Sequence, residues 1–526
     1  MTHDNTYKTI NTINYNPEIL PARLNIVRAG NLEFWNKTTA MKKLLSIIIT
    51  FHVSLLTFHA SEAQIINIPA DYPTIQQGID AANDGDTVLV EPGVYVEHIS
   101  ISEKNISFTG VARESVIIDS GYVGVSDCTY TNISGITVSN GQGIYCGNAT
   151  CHIEDVHVMN NNFIFGGSIT SYYSFLTLKN AIVENNHTYR GGGIYIIESE
   201  AIFQDITIEG NTTEWEGGGI YCENSDPIFE NVIIANNFAS DTATNPGYGG
   251  GVYCTGSSPI FKNVLFYGNG AETDGSVLYC NGDSHPLIYN STVTGNEQSF
   301  GWYSSYYLVY CDDEESNVQF MNSIIYANYA IDSLQVTLMK GDVSFNFCDI
   351  QRGSGSVSGV GNINEDPLFK GSGDHPYQLS PDSPCIDAGN TDTAGMNLPF
   401  WDLMGNYRLW DGDGDGDTIV DMGAYEFGSI GVGTTEFQVS SFKFQVSVYP
   451  NPAHDIVNIE LELDEPDKIE VYIYNHLGQL VGSFDEGIRP SGQQQFQLNI
   501  SGLKPGLYLL KVNAGNDAVT KKLIKK

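Results

Sequence analysis

The stretch that decides the fold is "GGGIYCENSDPIFENVIIANN", residues 217–237. Related stretches occur as "GGGIYIIESEAIFQDITIEGN" at 191–211 and as "GGGVYCTGSSPIFKNVLFYGN" at 249–269. Each copy holds a glycine triplet, apolar residues that alternate with polar ones, and an asparagine near its end. A phrase repeated at such intervals is typical of proteins in which each unit stacks on its neighbours.

The repeat extends beyond these three copies. Its units align on one apolar anchor each, and the anchors are separated by 25, 25, 26, 32, 27 and 32 residues. The anchors are Ile153, Leu178, Phe203, Phe229, Phe261, Ile288 and Phe320. Two positions after them stand Asp155, Asn180, Asp205, Asn231, Asn263, Asn290 and Asn322. Eight positions after them stand Asn161, Asn186, Asn211, Asn237, Asn269, Asn296 and Asn328.

This pattern predicts an all-β solenoid. Alternation with a period of two indicates strands, and the Gly, Asn and Ser between them favour corners. A unit near 25 residues fits one coil; residues 88–350 would then form about ten coils stacked roughly 4.8 Å apart. Each aligned column becomes a ladder, and we expect the asparagines of the third column to line one corner.

The cysteines follow the same repeat. Cys222, Cys254, Cys280 and Cys311 each come directly after a tyrosine, and Cys146 fits an earlier coil. Alternation places these thiols beside the apolar anchors, so we expect them to be buried, stacked and unpaired, as small hydrophobes. In-register neighbours offer poor disulfide geometry. A row of metal-binding thiolates is the alternative.

The tyrosines before those cysteines are predicted to form a ladder on the outer face. They are Tyr195, Tyr221, Tyr253, Tyr279 and Tyr310, while Trp215, Trp302 and Tyr303 lie in longer corner loops. Rows of outward aromatic rings can stack on sugar rings, and they also suit an exposed β surface with no ligand. The sequence leaves both interpretations open.

Charge and targeting limit the partners. The formal net charge of −38 disfavours nucleic acid and anionic lipid. "MKKLLSIIITFHVSLLTFHASEA", residues 41–63, has the layout of a signal peptide, with two lysines, an apolar stretch and a small-x-small cleavage site. Residues 1–40 are then an upstream extension; a true N-terminal tail before an anchor helix is the alternative. No other segment suggests a membrane span.

The repeat resembles that of the pectin-lyase-like proteins. So does "YPTIQQGIDAANDGDTVLVEPGVYVEHISI" at 72–101, where an amphipathic helix near 74–83 precedes the first coil. The resemblance implies a right-handed parallel β-helix over residues 64–350, with the helix as an N-terminal cap that covers an open sheet edge.

Residues 351–428 resemble the closing module, of the choice-of-anchor type, that follows β-helix repeats in exported bacterial proteins. The motifs are Asp366 to Phe369, Tyr377 to Leu379, Ser383 to Gly389, Asp402 to Arg408 and Asp421 to Glu426. The resemblance implies a cap on the last coil.

Within this module, alternating acids suggest a calcium site. Asp411, Asp413 and Asp415 alternate with glycine, and Asp417 and Asp421 follow. Carboxylates at positions 1, 3 and 5 with glycine at 6 match the first half of a calcium loop, although Met422 replaces the closing acid. Calcium is therefore the expected cofactor, and a solvated acidic turn is the alternative.

The last segment, 447–526, reads as a small β-sandwich of alternating strands and Gly/Pro turns. It resembles the type A C-terminal sorting domain of the type IX secretion system, on Tyr449 to Pro452, Asn475 to Leu480, Gly506 to Tyr508 and the basic tail. The resemblance implies handling by that secretion machinery and a secreted or outer-surface location in a Gram-negative bacterium. Residues 429–446 read as a linker.

No catalytic set stands out in the coils. Relatives of this fold include polysaccharide lyases and glycoside hydrolases, which need a base or a carboxylate pair. Basic residues are rare in the coils, and Arg190 is the one candidate base. The sequence therefore favours a binding or structural protein that engages glycans; a lyase or hydrolase acting on acidic polysaccharide is the alternative.

Overall fold

The computed structural model describes residues 63–526 except 164–165, 241–245, 299–306, 329–340, 352–358, 374, 394, 430–445, 450–452, 455, 464–465, 476–479, 505, 515–516 and 526. The upstream extension (1–40), almost all of the signal peptide (41–63) and of the linker (429–446), and Trp302 and Tyr303 lie outside the described residues. The domain boundaries drawn from the sequence stay predictions. In the described part of the chain, no helix is long and apolar enough to cross a membrane.

Three parallel sheets form the solenoid, and sheet 1 is the largest, with 17 strands. Its strands are Ile65–Ile68, Thr87–Val90, Gly93–Tyr95, Ser107–Gly110, Val116–Asp119, Thr131–Ser139, Thr150–Met159, Phe175–Glu184, Glu200–Glu209, Ile228–Ala235, Ile260–Tyr267, Leu287–Tyr289, Thr292–Thr294, Asn317–Met321, Ile324–Ile325, Asp342–Asn346 and Asp349–Ile350. Ile65–Ile68 pairs in parallel with Thr87–Val90, so the solenoid begins one rung before the predicted first coil.

Sheets 2 and 3 complete each coil. Sheet 2 contains His98–Ser102, Tyr122–Ser126, Gly143–Gly147, Ile169–Tyr172, Ile194–Ile197, Ile220–Glu223, Val252–Thr255, Leu278–Asn281 and Val309–Cys311. Sheet 3 contains Asn162–Phe163, His187–Arg190, Thr212–Glu216, Phe238–Ala239, Gly270–Ala271 and Glu297–Gln298. The predicted all-β solenoid is confirmed.

The asparagine column is a buried ladder, as predicted. From Asn161 to Asn296, each side-chain Nδ2 donates to Oδ1 of the next asparagine in the column at 2.9–3.1 Å. The same Oδ1 also accepts the backbone N–H of the previous asparagine. Buried corner amides are thereby satisfied from one coil to the next.

A serine ladder, missed in the sequence, lines a second corner. Ser174, Ser199, Ser225, Ser257, Ser284 and Ser316 stand four positions before the anchors. Each hydroxyl oxygen accepts the backbone N–H of the equivalent residue one coil earlier, at 3.0–3.1 Å. The constant spacing of four residues between each serine and its anchor is visible in the sequence.

The anchors and thiols form the interior of the solenoid. Phe203, Phe229 and Phe261 stack at centroid distances of 4.6 and 4.9 Å. Cys222, Cys254, Cys280 and Cys311 are aligned in register. Cys146 occupies the same column. All of these cysteines are buried and free, which confirms the interior thiol column.

A short helix, Ile75–Ala81, precedes the second rung. Thr74 caps it by accepting the N–H of Gln77 at 3.2 Å, and Ile75 and Ile79 face the core. Backbone amides of its first turn donate to the Glu97 carboxylate, which ties the helix to the following coil. The predicted helical cap is present.

The closing module does more than cap the last coil. Ile363 extends the final rung by bonding to Cys348 and Ile350. The rest of the module lies along the outer flank of sheet 1, where Gly423 donates to the Asn322 carbonyl at 2.8 Å. The expected cap was therefore only part of the arrangement, because Asn263, Asn290 and Asn322, two positions after the anchors of three coils, offer polar partners for the module.

A buried arginine holds the module on that flank. Arg408, with 1% of its surface exposed, donates to Asn263 Oδ1 at 2.6 Å and to the Glu426 carboxylate at 3.2 Å. Its guanidinium also bonds to the carbonyls of Gly423 and Ala424. Because the group is fully enclosed, these partners replace the water that a charge otherwise requires.

The C-terminal segment has its own core and two antiparallel sheets. One contains Val446–Tyr449, Ile456–Leu463 and Gly492–Asn499; the other contains Asp467–Asn475, Leu480–Arg489, Gly506–Ala514 and Asp517–Lys525. Val457, Ile459, Val471, Leu510 and Val512 are among the buried residues between them. The predicted small sandwich is confirmed.

Candidate functional site

One outward-facing column of sheet 2 carries most of the aromatic surface. Strand register aligns Gly124, Tyr145, Thr170, Tyr195, Tyr221, Tyr253, Tyr279 and Tyr310 along the solenoid. The tyrosines therefore lie on the outer face, as predicted, and the thiols opposite them face the core.

The later tyrosines of this column are nevertheless buried, which corrects the expected exposed ladder. Tyr221, Tyr253 and Tyr279 stack nearly parallel, with neighbouring centroids 5.0–5.2 Å apart. Each has less than a tenth of its surface exposed. Tyr248 packs against Tyr279 at 4.6 Å, and a further tyrosine, Tyr307, packs against the end of the column. These rings form an outer core and are closed to a ligand.

Arg190 stands at the edge of this covered region. Its guanidinium lies 4.0 Å from the Trp215 ring centroid and 2.9 Å from the Glu216 carboxylate. Although burial favours the neutral form, the Glu216 carboxylate raises the pKa of Arg190. The arginine stays protonated and engaged, so it is unsuited to the role of catalytic base.

The early coils present the open part of the column. Tyr145 has 41% of its surface exposed, and the positions on either side of it in the column are Gly124 and Thr170. Neither neighbour carries a ring of its own, and the Tyr122 ring lies over Gly124, on that side of Tyr145. A cleft of about 210 Å³ lies at this point.

The cleft combines aromatic walls with neutral polar groups. Tyr122 and Phe163 line it together with Tyr145, and Gln142 and Thr170 contribute an amide and a hydroxyl. None of the described lining residues carries a carboxylate, an amine, a guanidinium or an imidazole. Such a surface can stack on the apolar face of a ring and hydrogen-bond to its polar edge.

Glycine is needed in the floor of the cleft. A Cβ atom at Gly124 would lie 3.1 Å from a ring carbon of Tyr122, and at Gly143, where φ is +82°, it would meet the Ser168 carbonyl oxygen at 1.9 Å. Larger residues at these positions would displace the walls.

A second exposed aromatic pair lies at the corner after the next strand. Tyr172 and Tyr173 are 40% and 55% exposed, and their rings meet edge to face at 4.5 Å. The Tyr172 side chain contributes most to raising the pKa of Tyr173, followed by the Glu198 carboxylate. The corner is thus aromatic with acidic surroundings.

The acidic loop of the closing module brings together a different set from the predicted one. Oxygens of Asp387, Asp411 and Asp413 lie within 4.8 Å of one another. Asp387 also accepts the amides of Gly412 and Asp413 at 2.9 and 2.8 Å. The sequence pattern missed Asp387, since it lies more than twenty residues before the loop.

Three predicted ligands lie outside that cluster. Asp415 accepts the amide of Asp417, and both are exposed. Asp421 is fully buried and accepts the amides of Asp387 and Phe427. Burial raises the pKa of Asp421 to about 7. This carboxyl supports the module from inside instead of joining the loop.

Two family models match the chain. Residues 192–362 match the right handed beta helix region, and residues 447–526 match the secretion system C-terminal sorting domain. The chain is a right-handed β-helix protein with a C-terminal secretion sorting domain. The sorting domain indicates a secreted or cell-surface protein that the type IX machinery handles.

Solved structures similar to this β-helix protein include a PL6 family alginate lyase, at 12% identity and TM-score 0.26, covering 60% of this chain and 55% of that chain. Another is ORF18 of Geobacillus virus E2, at 12% identity and TM-score 0.28; the match covers 87% of this chain and 82% of that chain. A pectin methylesterase matches at 10% identity and TM-score 0.22; the match covers 60% of this chain and 96% of that chain.

The β-helix protein spans about half the length of the alginate lyase structures it matches. No curated protein matches it in sequence. At such low identities and TM-scores, none of these likenesses transfers an activity to it.

Proposed function

We propose that this secreted or cell-surface β-helix protein binds neutral carbohydrate in the cleft around Tyr145. The observation that supports the proposal most is the composition of the cleft, in which the exposed ring of Tyr145 and the half-buried rings of Tyr122 and Phe163 meet uncharged polar side chains. A sugar ring has an apolar face and a hydroxyl-bearing edge, so it can stack on the exposed ring of Tyr145.

Charge separates this proposal from action on acidic polysaccharide. A uronate chain would need cationic partners, and a chain with net charge −38 offers none among the described lining residues. Outside the cleft, Arg113 is paired with Glu114 and Asp155, and Lys262 is paired with Glu230. A lyase or hydrolase would also require a base or a carboxylate pair in reach of the sugar.

A binding experiment on the full exported chain tests the cleft. Neutral and uronate oligosaccharides are screened on a glycan array, and hits are titrated by calorimetry. We expect neutral binders whose affinity falls about tenfold in Tyr145→Ala, because a central stacking ring is removed. Tyr72→Ala, which removes a tyrosine of 37% exposure outside the cleft lining, is the control. Binding confined to uronates, or a wild-type affinity in Tyr145→Ala, contradicts the proposal.

We propose that the sorting domain directs this protein to the outer surface of a Gram-negative bacterium, where it is either attached or released. Deletion of residues 447–526 should leave the solenoid folded, since the two parts have separate cores, and should retain it in the periplasm. Cell fractionation checks this; normal surface delivery of the truncated chain contradicts it.

We also propose that calcium binds Asp387, Asp411 and Asp413. Three carboxylates so close together favour a hard cation with oxygen ligands. We expect an affinity on the order of 10⁻⁴ to 10⁻³ M, as in extracellular modules.

Millimolar calcium should raise the melting temperature of the wild type but not that of Asp411→Ala/Asp413→Ala. The matched control is Asp415→Ala/Asp417→Ala, which removes two exposed carboxylates outside the cluster and should keep the response. An equal response in all three proteins would mean that the loop is a solvated turn.

A further inference from the structure

The residue that follows each of the first eight strands of sheet 2 has a left-handed backbone. The positions, with φ between 47° and 68°, are Glu103, Asp127, Asn148, Tyr173, Glu198, Asn224, Gly256 and Gly282. Acidic residues, asparagine and glycine fill all of them except one. Tyr173 is the exception, and an aromatic side chain is strained in this region of backbone space.

Tyr173 also interrupts a polar ladder on the same corner. Asn148 donates to the Asp127 carboxylate at 2.7 Å, and Asn224 donates to the Glu198 carboxylate at 3.0 Å. Between these two pairs the chain places a tyrosine that packs on Tyr172 and leaves 55% of its surface in solvent. Neither the backbone nor the ladder explains the aromatic ring at this position.

The corner is continuous with the cleft. A Cβ atom at Gly147 would lie 2.4 Å from the Tyr145 hydroxyl oxygen, so the Tyr145 ring extends along its strand over Gly147. Gly147 pairs in register with Tyr172. The Tyr145 hydroxyl and Tyr172 are therefore one rung apart, about 4.8 Å along the solenoid.

We propose that Tyr172 and Tyr173 form a second stacking subsite, so that a neutral oligosaccharide runs along the strands from the cleft to this corner. The inference rests on the proposed carbohydrate binding. It adds the direction in which the bound oligosaccharide runs and the requirement that the oligosaccharide be long enough to reach both subsites. The acidic neighbours of Tyr173, Glu198 and Glu223, disfavour a uronate at this subsite. The strained tyrosine is retained because its ring contacts the distal sugar.

The test uses Tyr173→Asn, which installs the residue type found one rung before it at Asn148. The full chain is titrated with short and long members of the cello-, manno- and laminari-oligosaccharide series. We expect the variant to melt at a higher temperature than the wild type. Its affinity for the long oligosaccharides should fall about 3- to 10-fold, as for the loss of an aromatic contact, while its affinity for the short ones stays unchanged.

Two further variants make the result specific. Tyr173→Phe keeps the ring and should keep both affinities; Glu103→Asn changes the equivalent backbone position three rungs earlier and should not weaken binding. An unchanged affinity of Tyr173→Asn for long ligands overturns the subsite, even where Tyr145→Ala confirms the cleft. Equal losses for short and long ligands overturn it too. A failure of Tyr145→Ala to weaken binding overturns the proposed function itself.

Discussion

The tyrosine column of sheet 2 has an open half and a covered half, although both are built from the same repeat. Tyr145 is 41% exposed, whereas Tyr253 is 6% exposed. Their backbone setting is the same, since both lie in the same register column and each is followed directly by a buried thiol. The difference comes from the chain outside the strands.

Repeat length decides which half is covered. The early units are 25 residues long, and the two units of 32 residues begin at Phe229 and Ile288. Tyr248 and Tyr307 follow the extra segments of these longer units and pack on the column. A solenoid can therefore bury or display an outer surface by changing only the length of a corner.

The largest expected contrast is in stability. Tyr253→Ala removes a ring stacked on both sides and should lower the free energy of unfolding by about 3–5 kcal/mol, as for other large-to-alanine changes in a core. Tyr145→Ala should cost less than about 1 kcal/mol, because much of its surface is already in solvent. Denaturant unfolding followed by circular dichroism measures both. Similar losses would show that the two halves do not differ in packing.

The asparagine ladder should matter equally in both halves. Asn186→Ala, beside the open half, and Asn269→Ala, beside the covered half, each remove a side-chain amide that accepts one buried backbone N–H and donates to one buried carbonyl. We expect both to lose about 2–4 kcal/mol. Asn162→Ala, at an exposed position, is the control and should change stability little. Unequal losses in the ladder would mean that the outer covering also supports the inner corner.

The smallest and most selective effect is in alkaline titration. Burial raises the pKa of Tyr310 to about 12 and raises those of Tyr221, Tyr253 and Tyr279 as well. An unfolded tyrosine ionises near pH 10. The raised folded-state pKa values therefore contribute stability that is full below about pH 10 and is lost as the pH rises toward 12.

Ultraviolet absorbance and circular dichroism, recorded together, check this expectation. A fraction of the tyrosines should ionise only as the solenoid unfolds, and Tyr310→Phe should reduce that fraction. Ionisation of every tyrosine near pH 10 in a folded protein would contradict the covered half.

The repetitive part of the fold could be predicted from the sequence because stacking repeats the same contact in every coil. Seven asparagines at one offset, and thiols after tyrosines, sufficed for the ladder and the interior column. The outer surface was harder to predict. Whether Tyr221 is exposed depends on distant corner segments, and such contacts leave no periodic signal.

Non-repetitive contacts explain why the sequence did not predict the membership of the acidic cluster or the position of the closing module. Asp421 belongs to the acidic run in sequence, yet it turns inward, while Asp387 reaches the loop from another part of the module. The flank position of the module depends on Arg408 meeting Asn263, a pairing across 145 residues. Neither could be read from spacing alone.

The flank position of the closing module has a mechanical consequence. A force applied at the C-terminus would reach the last coil first, and a bare solenoid would peel open one rung at a time from there. The module instead bonds sideways to Asn263, Thr292 and Asn322, on successive rungs. A pull on the C-terminus then loads these bonds together, in shear, so the coils resist as a group where a free end would unzip.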